Sequence, residues 1–305
     1  MKVVKPTDIT ETTLDSSSIT EPDSSVGEVA WVAGTYTLGT RRIKTTTHKV
    51  YEVVADPSTT DDPEVGVGLT PPSWVEVGPT NKWAMFYNET SAQSQATTTL
   101  TIEVSPGMII NSIGGFGIED VNSIDVVMTD PTEGVVYSTT IDMNAAPEAS
   151  GWYYYFYSPI SKDSQFILLD LPAYSQATLT ITFNGGNIKV GNVIIGRQLL
   201  LGTANHGTNV QLLDYSRKEQ DNFGNVVVTQ GRTSKLVSFD VTIPRDKVRY
   251  VFNTLSKLTS VPCVWVGTDD TNDLTLVFGY YKDYQNNLSS PTLTDATLTI
   301  EGLTQ

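Results

Sequence analysis

One cysteine in 305 residues leaves no room for an intrachain disulfide. Cys263 stands in the apolar run Val261-Pro262-Cys263-Val264-Trp265-Val266. No His or Lys lies close in sequence to lower its pKa, so it reads as a buried structural thiol and not as a nucleophile. Histidine is nearly as scarce, with two copies. His48 falls in a predicted hairpin connection and His206 in the polar loop Thr203–Gly207, and both read as surface loop residues. Gly-x-Ser-x-Gly elbows, phosphate-cradling glycine loops, His-x-x-x-His pairs and Cys pairs are missing. No enzyme activity, metal site or cofactor is therefore expected.

Carboxylates are the one catalytic residue type in supply. Glu119 with Asp120, Asp61 with Asp62, and Asp269-Asp270 with Asp273 are the pairs to consider for glycoside hydrolysis. Neighbours on a strand point apart, so adjacency does not build a shared site. Asp269–Asp273 also lacks the Gly and closing Glu of a calcium loop and reads as an Asx-type turn.

Positive charge is sparse: 19 Lys and Arg stand against 34 Asp and Glu, for a formal charge of −15. Such a surface is repelled by phosphate backbones and anionic lipid, so neither nucleic-acid binding nor membrane-surface binding is expected. No run approaches 18 apolar residues, and Met1–Pro6 has no apolar core of a signal peptide. Synthesis in a cytoplasm without membrane insertion is expected.

What the chain does have is short alternating runs, of which Thr178-Leu179-Thr180-Ile181-Thr182-Phe183 is the clearest. The fold is expected to be mainly β, in four parts. Residues 1–24 read as a polar extended arm, ordered against a neighbour or frayed. Residues 25–85 form a small aromatic β module holding Trp31, Tyr36, Tyr51, Trp74 and Trp83. Residues 86–198 read as a jelly-roll-like β-sandwich of eight strands: 99–104, 108–114, 123–128, 135–141, 151–157, 165–169, 177–183 and 188–195. Turns are expected at Ser105-Pro106-Gly107, Asp130-Pro131 and Asn184-Gly185-Gly186-Asn187. Residues 199–305 are α+β with one helix over Pro244–Thr259, its apolar stripe formed by Val248, Val251, Phe252, Leu255 and Leu258. Asn222–Asn225 reads as a hairpin turn.

Two resemblances follow from ordered motifs. Glu28–Gly39 with Trp31 and Tyr36, then Arg42-Ile43, Lys49–Val53 and Pro72–Val77 with Trp74, resemble the small chitin-binding-type carbohydrate modules of families 5 and 12. That likeness covers about 50 residues. Val54-Ala55-Asp56-Pro57 stands where sugar-binding members carry exposed aromatics, so chitin binding does not follow. Across nearly the whole chain, a second set of motifs is similar to a family of bacteriophage tail-associated virion proteins, often described as carbohydrate-binding-domain or hypothetical structural proteins. It comprises Gly78–Phe86, Ile194–Arg197, Asp214–Glu219, Phe223–Asn225, Pro262–Trp265, Gly279–Asp283 and Leu298–Leu303.

The second resemblance implies a virion component of the tail tip or baseplate, with other tail proteins and copies of itself as partners. In the alternative, the chain grips host-surface glycan through Trp31, Tyr36, Trp74, Trp152 or Tyr154. The charge-dense stretch around Tyr215, Arg217 and Lys218 is the candidate subunit contact, with an exposed salt-bridged strand as its other reading.

Overall fold

The computed structural model describes residues 1–87, 92–144, 152–157, 162–205, 207–220, 226–268, 274–287 and 290–303, with the backbone alone at 153–155, 220 and 227. His206, Asn222–Asn225 and Asp269–Asp273 lie outside the described residues. The fold is mainly β, and fourteen strands join in one large antiparallel-paired sheet.

Its spine is a pair of long strands, Ser112–Asp130 and Thr178–Leu200, paired from Ser112 opposite Gly196 to Thr129 opposite Thr178. Each unites two runs expected as separate strands. The turn signal Asn184–Asn187 makes a bend instead of a reversal. Register shifts flank Val121, which faces Gly185, and Asp120 and Asn187 take φ of 57° and 59°. A Cβ on Gly185 would stand 2.1 Å from the Asp120 carbonyl oxygen, so only glycine admits this close crossing.

The strict alternation of Thr178–Phe183 does what period two dictates. Leu179, Ile181 and Phe183 are fully buried, and the threonines between them are half-buried. They meet Leu100, Ile102 and Val104 of strand Thr99–Val104, and Ile124, Val126 and Met128, in a sandwich-like core. Each such side chain stabilises by about 1.5–3 kcal/mol. Trp83 and Met85, expected at the end of the small module, belong to this core. The strand expected over 151–157 is a short helix, Trp152–Tyr157. Its residues are aromatic throughout, and pattern alone does not separate strand from helix in so short an apolar run.

Residues 1–24 are not a free arm. Strand Lys2–Pro6 pairs with Gly196–Leu200 on one side and with Val264–Val266 on the other. Alternation puts Val3 into the C-terminal core and Val4 into a seam with Phe116, Ile194, Val264 and Phe278, where the rings of Phe116 and Phe278 stack at 5.4 Å. Farther on, strand Leu14–Ser17 pairs with Thr99–Val104.

Beyond the seam the sheet continues through Cys263–Val266, Val277–Asn287, Leu293–Gly302 and Thr233–Pro244 to an edge formed by Thr203–Ala204 and Asn209–Asp214. One face is covered by the helix. It enters through a single 3₁₀ turn, Arg245–Lys247, and runs as α-helix over Val248–Lys257. Val251, Leu255 and Leu258 are buried against Val237, Phe239 and Ile300. Phe252, expected in the stripe, is 59% exposed, because it sits a quarter-turn off that line.

The small module is a three-stranded sheet, Arg41–Lys44, Lys49–Val53 and Trp74–Pro79, beside the two-residue pair Tyr36–Thr37 and Ser58–Thr59. Its core is Tyr36, Tyr51, Val53 and Trp74.

Candidate functional site

Three of the rings expected at a sugar site help build the small module. Trp74 is fully buried, donates Nε1–H to the Asp61 carbonyl at 3.0 Å and meets Tyr36 edge-on at 5.7 Å. Tyr36 is buried too, its hydroxyl donating to the Val32 carbonyl at 2.7 Å. Trp31 is half-buried, and Lys44 Nζ lies 4.7 Å from its ring centre. Lys44 is fixed by Asp62 at 2.7 Å, and that bond raises its pKa. Tyr36 and Trp74 therefore present no free face for stacking, and Trp31 has a cation over its ring.

The helix Trp152–Tyr157 is different. Trp152, Phe156 and Tyr157 are 80%, 67% and 74% exposed, and Trp152 stacks on Phe156 at 6.1 Å with the rings 18° from parallel. Helical spacing of four makes that pair possible, whereas a strand would not have brought the rings together this way. The Tyr154 side chain lies outside the described residues.

The candidate subunit contact sits on a feature the charge pattern did not show. Arg217–Gln220 and Val226–Thr229 form a two-stranded ribbon whose strands, among the described residues, pair with each other and with no third strand. Arg217 is ion-paired with Glu219, and Lys218 with Asp214 at 3.8 Å. Tyr215 is half-exposed and donates to Glu301 at 3.1 Å, a bond that raises the phenol pKa. These charges therefore already have partners within the chain. What is unspent is apolar: Val226 and Val228 are 60% and 58% exposed, and Leu212 on the adjoining edge strand Asn209–Asp214 is 71% exposed. The run Val226-Val227-Val228 carried the signal, but exposure cannot be read from a strand pattern.

A polar cluster joins segments distant in sequence. The Glu21 carboxylate, 7% exposed, accepts from Thr80 Oγ1 at 2.8 Å and Trp83 Nε1 at 3.0 Å, and lies 3.0 Å from His48 Nδ1. His48 adopts a φ of 56°, stacks on Trp83 at 4.3 Å, and places Nε2 3.1 Å from Glu11. A cleft of about 600 Å³ opens beside it, walled by Ile9–Thr12, Thr47–Lys49, Trp83, Phe86 and Tyr87. Next to it, Asn81 joins Asp23, Glu28 and Gln95. Burial raises the Glu28 pKa against its hydrogen bonds from the Asp23 and Asn81 amides. For Asp23 burial pulls upward, but bonds from Ser25 and Asn81 prevail and hold it below the usual value.

Both clusters latch the N-terminal segment to the small module and its linker. The described residues contain no group of three or more His, Cys, Asp or Glu able to hold a metal, and no helix long and apolar enough to cross a membrane. No family model and no curated protein matches the sequence.

Proposed function

We propose that this chain is a structural subunit of a bacteriophage tail, at the tip or baseplate, that works by binding other tail proteins and copies of itself. The observation that carries the reading is the ribbon Arg217–Gln220 with Val226–Thr229. The ribbon continues the sheet-edge hairpin of Asn209–Asp214 with Thr233–Pro244 through the Tyr215 N–H bond to the Arg232 carbonyl. Beyond that point, among the described residues, it has two strands alone, a marginal arrangement in water, and it exposes Val226 and Val228. A neighbour's surface would complete it, in the way edge strands and exposed apolar rows are completed elsewhere. The motifs shared with tail-associated virion proteins support the particle as the setting. In this reading the chain is not an enzyme and takes no cofactor.

The test is a Val226→Lys, Val228→Lys variant in the encoding phage. Wild-type chain should be found in purified particles, and the variant should be folded yet missing or strongly depleted. Wild-type chain absent from particles would sink the proposal.

A second reading, contact with host-surface glycan, is favoured by the exposed stacked pair Trp152 and Phe156. A glycan array probed with the wild type and with Trp152→Ala, Phe156→Ala decides it. Binding lost in the variant supports a receptor-recognition role; no wild-type binding removes it.

A further inference from the structure

The helix Val248–Lys257 and its leading turn concentrate charge of the chain's scarcer sign. Four cations, Arg245, Lys247, Arg249 and Lys257, stand within thirteen residues beside one acid, Asp246. Elsewhere cations are commonly matched: Lys2, Arg41, Lys44, Lys49, Lys189 and Lys282 each have a carboxylate within 4 Å. Among the described residues, Lys247, Arg249 and Lys257 have none. The same outward face carries Tyr250 and Phe252, 50% and 59% exposed. Arginine, tyrosine and phenylalanine together on a rigid element are what protein interfaces enrich.

The opposite face of the same sheet has the complementary chemistry. Pairing sets Asp240 opposite Thr297 and Asp295 opposite Thr242, with Gln285 and Asn287 beside them on the next strand. Among the described residues no strand or helix is packed on this face there, and a cleft of about 700 Å³ lies over Asp240, Gln285, Asn287, Asp295 and Thr297. Both carboxylates are exposed.

We infer that the cationic aromatic helix of one copy docks into the acidic cleft of a second copy. The inference rests on the assembly reading above and names one of its interfaces. Opposite faces of one layer are used, so the contact is heterologous and runs head to tail, closing into a ring or extending as a stack. An oppositely charged pair of faces favours this orientation and penalises helix-to-helix or cleft-to-cleft encounters. The ribbon with Val226 and Val228 is a separate surface.

The test is a charge swap in the full chain, read by sedimentation across protein concentration and salt. One variant carries Arg249→Glu and Lys257→Glu, the other Asp240→Lys and Asp295→Lys. All four positions are exposed, and thermal melting confirms folding. Each variant alone should self-associate at least about tenfold more weakly than wild type. Mixed, each charge-reversed face meets its complement, so association should return, and it should weaken as salt rises. Variants that associate like wild type, or a mixture that does not recover, would overturn the inference. If only Val226→Lys, Val228→Lys abolishes association, this interface is wrong while the assembly reading stands. A wild-type chain that stays monomeric at every concentration overturns the interface, and the particle test above then decides the assembly reading independently.

Discussion

The Asn81 carboxamide grips the main chain of Gln95 at both ends, with Nδ2 donating to the Gln95 carbonyl at 2.9 Å and Oδ1 accepting from its N–H at 2.7 Å. One side chain thus imitates a neighbouring strand along the edge of Ser94–Ala96. The same Nδ2 reaches Asp23 at 2.6 Å, and Ser94 Oγ donates to the Asn81 carbonyl at 2.6 Å.

Asn81→Ala should therefore leave several polar groups without their partner in a poorly hydrated place. A loss of about 3 kcal/mol in urea unfolding is expected, larger than for one surface hydrogen bond. A loss below about 0.5 kcal/mol would show that the network is dispensable.

The acids beside Asn81 give opposite pH signatures. Burial raises Glu28 above its ordinary 4.5, so the folded state binds more protons than the unfolded state just above that value, and stability falls as pH rises through the folded pKa. Asp23 lies below its ordinary 3.8, so its contribution is present above that value and lost as pH falls through the lower folded pKa. In denaturation followed across pH, Glu28→Gln should remove the falling limb above pH 4.5 and leave the acid limb. An unchanged profile would refute the assignment.

Cys263 is buried and its thiol is pushed up to about 12 by desolvation. Alkylation at neutral pH should be negligible in the native protein and should follow the unfolding curve in denaturant. Rapid labelling without denaturant would contradict this burial.

Gly196 faces Pro6, and a Cβ there would stand 2.0 Å from the Lys5 carbonyl oxygen. Gly196→Ala should displace strand Lys2–Pro6, with a loss of about 3 kcal/mol. Hydrogen exchange should then show lost protection at residues 2–6 and at 264–266 together. Protection lost only near Gly196 would mean the strand is not shared in this way.

Trp74 fills the small module's core, and Trp74→Ala is expected to cost about 3–5 kcal/mol in unfolding of that module. A folded Trp74→Ala protein of near-normal stability would contradict the core role.

Much of this architecture was legible because side-chain period survives into the fold. Thr178–Phe183 alternates in sequence and in burial, and Val251, Leu255 and Leu258 mark the covered face of the helix. Partnership was not legible. The Glu21, His48 and Trp83 cluster joins residues 27 to 62 positions apart, and no local pattern encodes such a meeting. Asn184–Asn187 has the composition of a reversal, yet the same residues supply the left-handed backbone and close approach that a bend requires. Trp31, Tyr36 and Trp74 belong to residue types that serve both cores and sugar platforms, and only tertiary packing assigned Tyr36 and Trp74 to the core. Arg217 and Lys218 pair with Glu219 and Asp214 of their own stretch, as the exposed salt-bridged strand of the other reading has it, whereas the Glu301 partner of Tyr215 lies 86 positions away and was not legible.

Strand Lys2–Pro6 leaves the ribosome about 190 residues ahead of one pairing partner, Gly196–Leu200, and about 260 residues ahead of the other, Val264–Val266. At translation speeds of about 5–20 residues per second, the segment waits roughly 10–50 s before its second neighbour exists. Closure of the seam is thus a late event of high contact order, and a truncated product cannot complete it. A nascent chain that stops before Val264–Val266 keeps at least one side of strand Lys2–Pro6 open to proteases and chaperones, so the seam distinguishes copies that include residues 264–266 from copies that stop short of them.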